Sequence, residues 1–426
     1  MIRQYLIQAL ATLRENPLLS FLSVAGTALA IAMIMVLVIS FEVRTANYRP
    51  ETNRDRTLYV TRGIYEQPHG QSSAYCSFSL IRDVFYPLQT PQAVTAVASE
   101  NAMLISTPAG ENEYKADVSY TDERFWTVFD FRFLAGKPFT EADVQSGIKK
   151  AVINETLARG LYGTIDVVGK PVLMSYTEYI ICGVVPAVST LAEAAYAEVW
   201  LPHTTTTFPG DVGTEYTIGS FKCYILAHTR SDFKAIKEES ERMMEQFNAN
   251  LQNGTFHLSG QPETHFLQMY RQGKKQADVF AVILRFAIVL SILLLVPAIN
   301  LSGMTLSRMQ KRMPEIGVRK AFGATTSSLL VQVLSENLIL TIIGGLAGLA
   351  LSYLSVTLMS DWLLATDTSS IREGVASINA EMVINPMVFV YAFLFCLVLN
   401  LFSAGIPAWR TSRQNIVNAL HETAQN

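Results

Sequence analysis

Hydrophobic and polar positions fall into two regimes along this chain. Four stretches run without a charged residue: 18–41 ("LLSFLSVAGTALAIAMIMVLVISF"), 286–307, 337–360 and 385–409. Each is close to the ~20 apolar residues that a bilayer-spanning helix needs. They predict transmembrane helices over 18–41, 278–307, 327–360 and 385–409. The first run is longer than the apolar region of a cleaved signal peptide, and "FEVRTANYRP" after it offers no convincing small-residue cleavage site. A retained helix is expected.

Between the first two runs, 42–277 reads like a soluble protein. Strand-like runs occur at 57–61, 101–107, 149–153, 170–176, 178–185, 197–201 and 222–228. Helical periodicity covers 77–88, 121–130, 154–162 and 231–251. Such interleaving argues for a mixed α/β arrangement and against a sandwich. The hairpin around Thr177 alternates poorly, as expected of a strand buried on both faces. Residues 263–285 hold no proline, which predicts a helical stalk running on into the second span. The fold class expected is therefore a membrane α-helical protein with four transmembrane helices, plus a large α+β extracytoplasmic domain inserted between helices 1 and 2. Ahead of the first span, 1–17 places Ile2, Tyr5, Leu6, Ala9, Leu10 and Leu13 at helical spacing, the pattern of an amphipathic leader at the interface.

Composition agrees: half of the 426 residues are hydrophobic and 16% are charged, against about a quarter in ordinary soluble domains. Orientation follows from basic residues in short loops. Arg308, Lys311, Arg312, Arg319 and Lys320 cluster in 308–326 against the single acid Glu315, whereas 361–384 has only Arg372 among several acids. The leader, 308–326 and the tail 410–426 are thus expected in the cytoplasm. The large domain and the loop 361–384 are expected outside.

Candidate chemistry is sparse. "GTIDVVGKP" (163–171) has its first glycine one residue too far away for a phosphate-binding loop, and Pro171 stands where the hydroxyl residue belongs. There is no H-E-x-x-H, no G-x-S-x-G and no Cys/His spacing of a zinc site. No catalytic residue, bound metal or cofactor, and no nucleic-acid partner, is expected. Cys76, Cys182 and Cys223 lie in the outer region, where a disulfide persists if one forms, while Cys396 falls in the fourth span.

Small residues in the spans carry more information. Gly26 with Ala30, or Ala28 with Ala32, in the first helix, and Gly344, Gly348 and Ser352 in the third, recur every four residues. Such stripes let helix backbones approach closely, either within the chain or against a second subunit. Glu336, an acid inside the inner boundary of the third span, is a functional candidate with a structural partner as the alternative. The segment "RMQKRMPEIGVRKAFGATTSSLL" is more punctuated than a topogenic loop requires. Pro314 breaks or begins a helix, Gly317 and Gly323 permit turns, and Ile316, Val318, Ala321 and Phe322 form an apolar side opposite Glu315, Arg319 and Lys320. That arrangement suits docking into a groove on a soluble partner.

"EIGVRKAFGATTSSLLVQVLSENLIL" followed by "GGLAG" resembles the signature of FtsX-like permeases of the MacB type of ABC transporter, E-I-G-[IV]-[RK]-x-A-x-G-A leading into a helix with an acid and paired glycines. "FWTVFDFRFLAGKPFTEAD" (125–143) and 151–185 are similar to the periplasmic core domain of the same permeases. The resemblance implies a bacterial inner-membrane permease that dimerises, as homo- or heterodimer, over cytoplasmic ATPase subunits. ATP and magnesium are then held by the ATPase, and Pro314, Glu315, Ile316, Gly317, Arg319, Lys320 and Gly323 dock on it. Some 17 residues precede the first span here, where MacB carries its nucleotide-binding domain, so the ATPase is expected as a separate subunit. The resemblance leaves three roles open: efflux of an antibiotic, peptide or toxin with a periplasmic adaptor and outer-membrane duct, lipoprotein release, or regulation of cell-wall hydrolases without transport.

Overall fold

The computed structural model describes residues 17–110, 112–208, 217–271, 273, 275–311, 318, 322, 325–358 and, further on, 387, 390, 391, 393, 394, 397, 398, 401, 402 and 405. The leader up to residue 16, the loop 361–384, the tail 410–426 and Cys396 lie outside the described residues. The chain divides into two compact units, one holding the described parts of 1–43, 283–363 and 379–426, the other the described parts of 44–282.

In chain order, α1 (Pro17–Thr45) is followed by β1 (Thr57–Val60), β2 (Gly63–Gln67), β3 (Gly70–Cys76), α2 (Phe78–Val84), β4 (Ala93–Ser106) and β5 (Glu113–Thr121). Next come α3 (Phe125–Val128), β6 (Ala135–Gly136), α4 (Glu141–Gln145), β7 (Lys150–Asn154), α5 (Glu155–Tyr162), β8 (Pro171–Met174), β9 (Thr177–Val185) and β10 (Val199–Pro202). The order closes with β11 (Ile218–Gly219), β12 (Phe221–Leu226), α6 (Phe233–Ala249), β13 (Thr255–His257), β14 (Glu263–Thr264), α7 (His265–Met269), α8 (Val279–Lys311) and α9 (Thr326–Leu358).

The 44–282 unit is α+β. Its sheet runs β13-β2-β3-β12-β4-β5-β10-β7-β9-β6, with β1 joined to β12 and β14, and β8 to β4 and β9. The pairs β5/β10 and β7/β9 are parallel, whereas β4/β5 and β4/β12 are antiparallel. Side chains alternate between the two faces of a strand, and over β1, β7, β10 and β12 both faces are covered. Leu58, Ala96, Ile153, Val199 and Ile225 enter one core. Their neighbours Tyr59, Val97, Val152, Trp200 and Tyr224 enter a second, which contains Phe125, Phe129 and Phe139. Double burial explains why 57–61, 197–201 and 222–228 read as continuous apolar runs. It also fits β9, whose last three residues, Gly183–Val185, are all buried.

Local chemistry sets the helix ends. The Asn154 side chain accepts from Leu157 N at 2.7 Å to start α5, and Gly163, at φ 73°, ends it in the left-handed conformation. The helix expected over 121–130 contracts to the four residues of α3, because Thr121 still pairs in β5 and the Asp122 carboxylate caps Phe125 N at 3.0 Å. The continuous helical stalk expected over 263–285 is not formed. Residues 263–264 pair as β14, α7 ends at Met269, and the next helix starts at Val279. The β-ladder to β1 at Leu58–Tyr59 takes the backbone bonds that a helix would need.

In the membrane-type unit, Pro17 opens α1, where its missing N–H costs nothing. Among the described residues two helices are long and apolar enough to span a bilayer: Val24–Thr45 (mean hydropathy 2.5) and Leu338–Leu358 (2.0). α8 is 33 residues long, and the ten described positions between 387 and 405 are all helical. α1 meets α8 through an edge-on contact of Phe41 with Phe286, ring centroids 5.9 Å apart. It meets α9 where glycine leaves room. A Cβ on Gly344 would lie 2.9 Å from Thr27 Cβ, and one on Gly348 would lie 2.7 Å from the Ala28 carbonyl oxygen and 2.9 Å from Ile31 Cβ. Ala30 and Ser352 are buried, and Ser352 Oγ donates to Leu349 O at 2.8 Å. Gly26 does not belong to this contact: a Cβ there meets nothing within 4 Å, and the face of α1 turned to the glycines is Thr27, Ala28 and Ile31.

Two outcomes are expected. Gly348→Leu drives a branched side chain into the α1 backbone, and overpacking of that kind costs ~1–3 kcal/mol. It should lower the detergent melting temperature, while Gly26→Leu leaves it near wild type; equal effects would remove the seam. The second concerns Asp122, which is buried and accepts from Thr95 Oγ1 at 2.5 Å and from Tyr86 OH. Burial, the largest influence, outweighs these bonds and raises its pKa from 3.8 to about 6. A raised carboxyl pKa means the folded state binds the proton more tightly. Stability relative to Asp122→Asn should therefore rise as pH falls from 7 through 6 towards 4 and stay flat above 7. Unfolding followed by fluorescence of Trp126 and Trp200 in the second core reads this, and a pH-independent difference between the two proteins would refute it.

Candidate functional site

The charged segment sits between two long helices: α8 ends at Lys311 and α9 begins at Thr326. Pro314, Glu315, Ile316, Gly317, Arg319, Lys320 and Gly323 lie outside the described residues. Between the two helices Val318, Phe322 and Thr325 are described. Val318 is 49% exposed and Phe322 is 88% exposed. Phe322 N donates to Val318 O at 3.1 Å, the bond of a single helical turn. That turn presents two apolar side chains on one side, i and i+4, with no core to bury them. A phenylalanine exposed to this degree is the kind of anchor that protein interfaces are built on. Glu336 lies within α9, and its side chain is outside the description.

Elsewhere the sequence-predicted groups are structural. Cys76, Cys182 and Cys223 are free thiols. Burial pushes Cys76 up to about 12 and Cys182 up to about 11, and raises Cys223 well above the ordinary thiol value, so all three stay protonated and unreactive near neutral pH. The glycine-rich 163–171 stretch is a connection: Gly163 caps α5, and Gly169, at φ 85°, turns the chain towards β8. His203 is packed against Phe78 with centroids 4.0 Å apart, and burial lowers its pKa to about 4, so it is neutral. Among the described residues no three His, Cys, Asp or Glu side chains are grouped to hold a metal ion.

The sequence reading passed over two ion pairs that are almost wholly buried: Glu51 with Arg54 and Glu263 with Arg271. The first lies in "YRPETNRDR", where charge directly after a membrane run reads as a solvated juxtamembrane loop. The only available signal was Glu and Arg at i and i+3, which is too common to single out a buried pair.

Comparison with known proteins gives a consistent result. Residues 20–243 match the MacB-like periplasmic core domain, and residues 285–416 match the FtsX-like permease C-terminal region. The chain is 26% identical over 257 residues to an uncharacterized ABC transporter permease, YknZ, of Bacillus subtilis, a match covering 59% of each chain. It is 22% identical over 424 residues to the macrolide export ATP-binding/permease protein MacB 1 of Yersinia pestis, covering 98% of this chain and 60% of that one. The chain thus spans about 60% of the length of these curated relatives. Among solved structures, the extracellular domain of the noncanonic ABC-type transporter YknZ from Gram-positive bacteria aligns with 47% of this chain and 98% of its own, at 15% identity and a TM-score of 0.35. The two matched regions follow one another through the α+β unit and the two long helices that flank the charged segment. The chain belongs to the MacB/FtsX family of ABC transporter permeases.

Proposed function

We infer that this chain is the permease component of an ATP-driven exporter, in which ATP hydrolysis by a cytoplasmic partner drives rearrangement of the α+β unit on the far side of the membrane. The observation that carries this reading is the order of parts. A MacB-like core domain over 20–243 precedes an FtsX-like region over 285–416, whose two long helices flank the basic 308–326 segment. The basic bias of that segment favours a cytoplasmic position, with four spans, both termini inside and the α+β unit outside. ATP and magnesium belong to the partner ATPase. The relatives named for macrolide export favour efflux of an antibiotic or another amphipathic molecule as the task, through two permease copies and, in a double-membraned cell, an adaptor and an outer-membrane duct.

In this reading the segment works by docking. Ile316 and Phe322 fill apolar pockets on the ATPase, Arg319 and Lys320 meet acidic groups around them, and Pro314, Gly317 and Gly323 shape the turns. Glu315 orients the segment against basic groups of the partner. Glu336 stabilises the inner end of α9 beside it.

Truncating a buried anchor at an interface can cost ~2 kcal/mol or more, whereas a rim charge alters association rate and salt dependence more than affinity. Ile316→Asp and Phe322→Asp should each reduce co-purification of the ATPase at least tenfold, while Lys320→Ala weakens it only modestly, at low salt, and matches wild type at high salt. All three variants should insert normally. Wild-type co-purification and ATPase activity of both aspartate variants would reduce the segment to a topogenic loop.

A further inference from the structure

The chain leaves α1 at Thr45 and runs directly into β1, and the segment that returns ahead of α8 pairs with the same strand through Glu263 and Thr264. Arg54 lies three residues after the exit turn bridged by Tyr48 and Glu51. A guanidinium has five N–H donors, and all five are used here. Nε donates to Glu51 Oε2. Nη1 donates to Arg44 O at 3.2 Å and Ala46 O at 3.1 Å, and Nη2 to Tyr48 OH and Leu191 O, each at 2.6 Å. Glu51 Oε1 in turn accepts from Ala194 N at 2.9 Å and Ala195 N at 3.1 Å. The Arg54 and Glu51 side chains are 1% and 2% exposed.

The returning segment is held in a parallel fashion. Glu263 pairs with Tyr59 on β1, and its carboxylate accepts both Nε and Nη2 of Arg271, the latter at 2.8 Å. Arg271 Nη2 also donates to Ser259 O at 2.9 Å, and the side chains are 4% and 0% exposed. Gln261 Oε1 accepts from Thr61 N at 2.7 Å just beyond β1. Between the two pairs, the Tyr59 ring meets His265 at 5.4 Å and Tyr224 at 5.5 Å, the start of a run of ring contacts through Phe129 and Phe125 into the second core.

Holding two segments together does not require charge. Apolar residues of the same volume do it at least as well, and buried ions recover their lost hydration only where geometry is fixed. What an ion pair adds is direction. The Arg54 fork needs acceptors from the end of α1, the exit turn, Glu51 and the 189–195 loop to lie at set angles, so it specifies how the emerging chain meets the sheet. We propose that the Glu51–Arg54 pair fixes the outgoing segment to the 189–195 loop just ahead of β1, that the Glu263–Arg271 pair fixes the returning segment beside its pairing with β1, and that both so act as positioning residues that pass displacement to the sheet without slack. This rests on the reading of the chain as an ATP-coupled permease.

The test measures rigidity directly, in the full-length permease in nanodiscs with its native cysteines replaced. Spin labels at Asn47 and Tyr176, and separately at Lys275 and Tyr176, report distances by double electron–electron resonance; all three positions are exposed. Wild type should give narrow distributions for both pairs, with and without the ATPase and vanadate-trapped nucleotide. Glu51→Leu combined with Arg54→Met replaces the ions by apolar groups. It should melt within a few degrees of wild type yet at least double the width of the Asn47–Tyr176 distribution. Arg54→Lys keeps the charge but offers three donors, and is expected to broaden it as well. A width equal to wild type in whichever variant folds overturns the proposal. A wild-type permease that neither binds the ATPase nor changes its rate of ATP hydrolysis would count against the coupling reading and leave the junction standing, since the width is also read without nucleotide.

Discussion

A peptide group in hydrocarbon has no water to bond to, so a chain crossing a bilayer must satisfy every N–H and C=O within a helix. That constraint organises the molecule. It accounts for α1 and α9 as long, nearly uncharged helices. It also removes the hydrophobic effect as a force between the helices, leaving close packing to hold them. The approach of α9 to α1 at Gly344 and Gly348 is such a packing device, because the space a side chain would occupy is already filled by Thr27, Ala28 and Ile31.

Outside that constraint the chain folds by ordinary aqueous rules. Over β1, β7, β10 and β12 the sheet of the 44–282 unit is covered on both faces, so successive residues alternate between two cores, not between core and solvent. One core is largely aliphatic; the other gathers the aromatics of 125–139 around Trp200. The exit and return segments both meet the sheet at β1.

How much of this was legible depended on whether one residue pattern carried the signal. Asn154 and Gly163 bracket α5 as its cap residues announce, and the apolar runs of β1, β10 and β12 declare themselves by β-branched and aromatic content. β2, β3 and β5 did not: the side chains of β2, β3 and the start of β5 are largely polar and exposed, and these strands are held in the sheet by backbone pairing that includes neighbours far away in sequence, β13, β12 and β10. The helical stalk over 263–285 failed for the same reason: pairing of Glu263 and Thr264 with β1 overrides a helical pattern. Gly26 matched a spacing rule but faces open space, since the rule cannot tell which side of a helix is covered. The buried ion pairs were invisible because nothing in the identity of a glutamate or arginine says that it is desolvated. The family, by contrast, was readable from motifs spread along the whole chain, and the comparisons bear it out.

The proposed function requires one arrangement: the α+β unit on one side of the membrane and the basic 308–326 segment on the other. The most direct measurement places single cysteines at Ser146, which is exposed on the α+β unit, and at Ser327, next to the charged segment, in a cysteine-free background. Intact spheroplasts are then treated with a membrane-impermeant thiol reagent. The account predicts labelling at 146 and none at 327 until the membrane is opened. Labelling at 327 with protection at 146 would contradict it, because the docking segment would then face away from ATP.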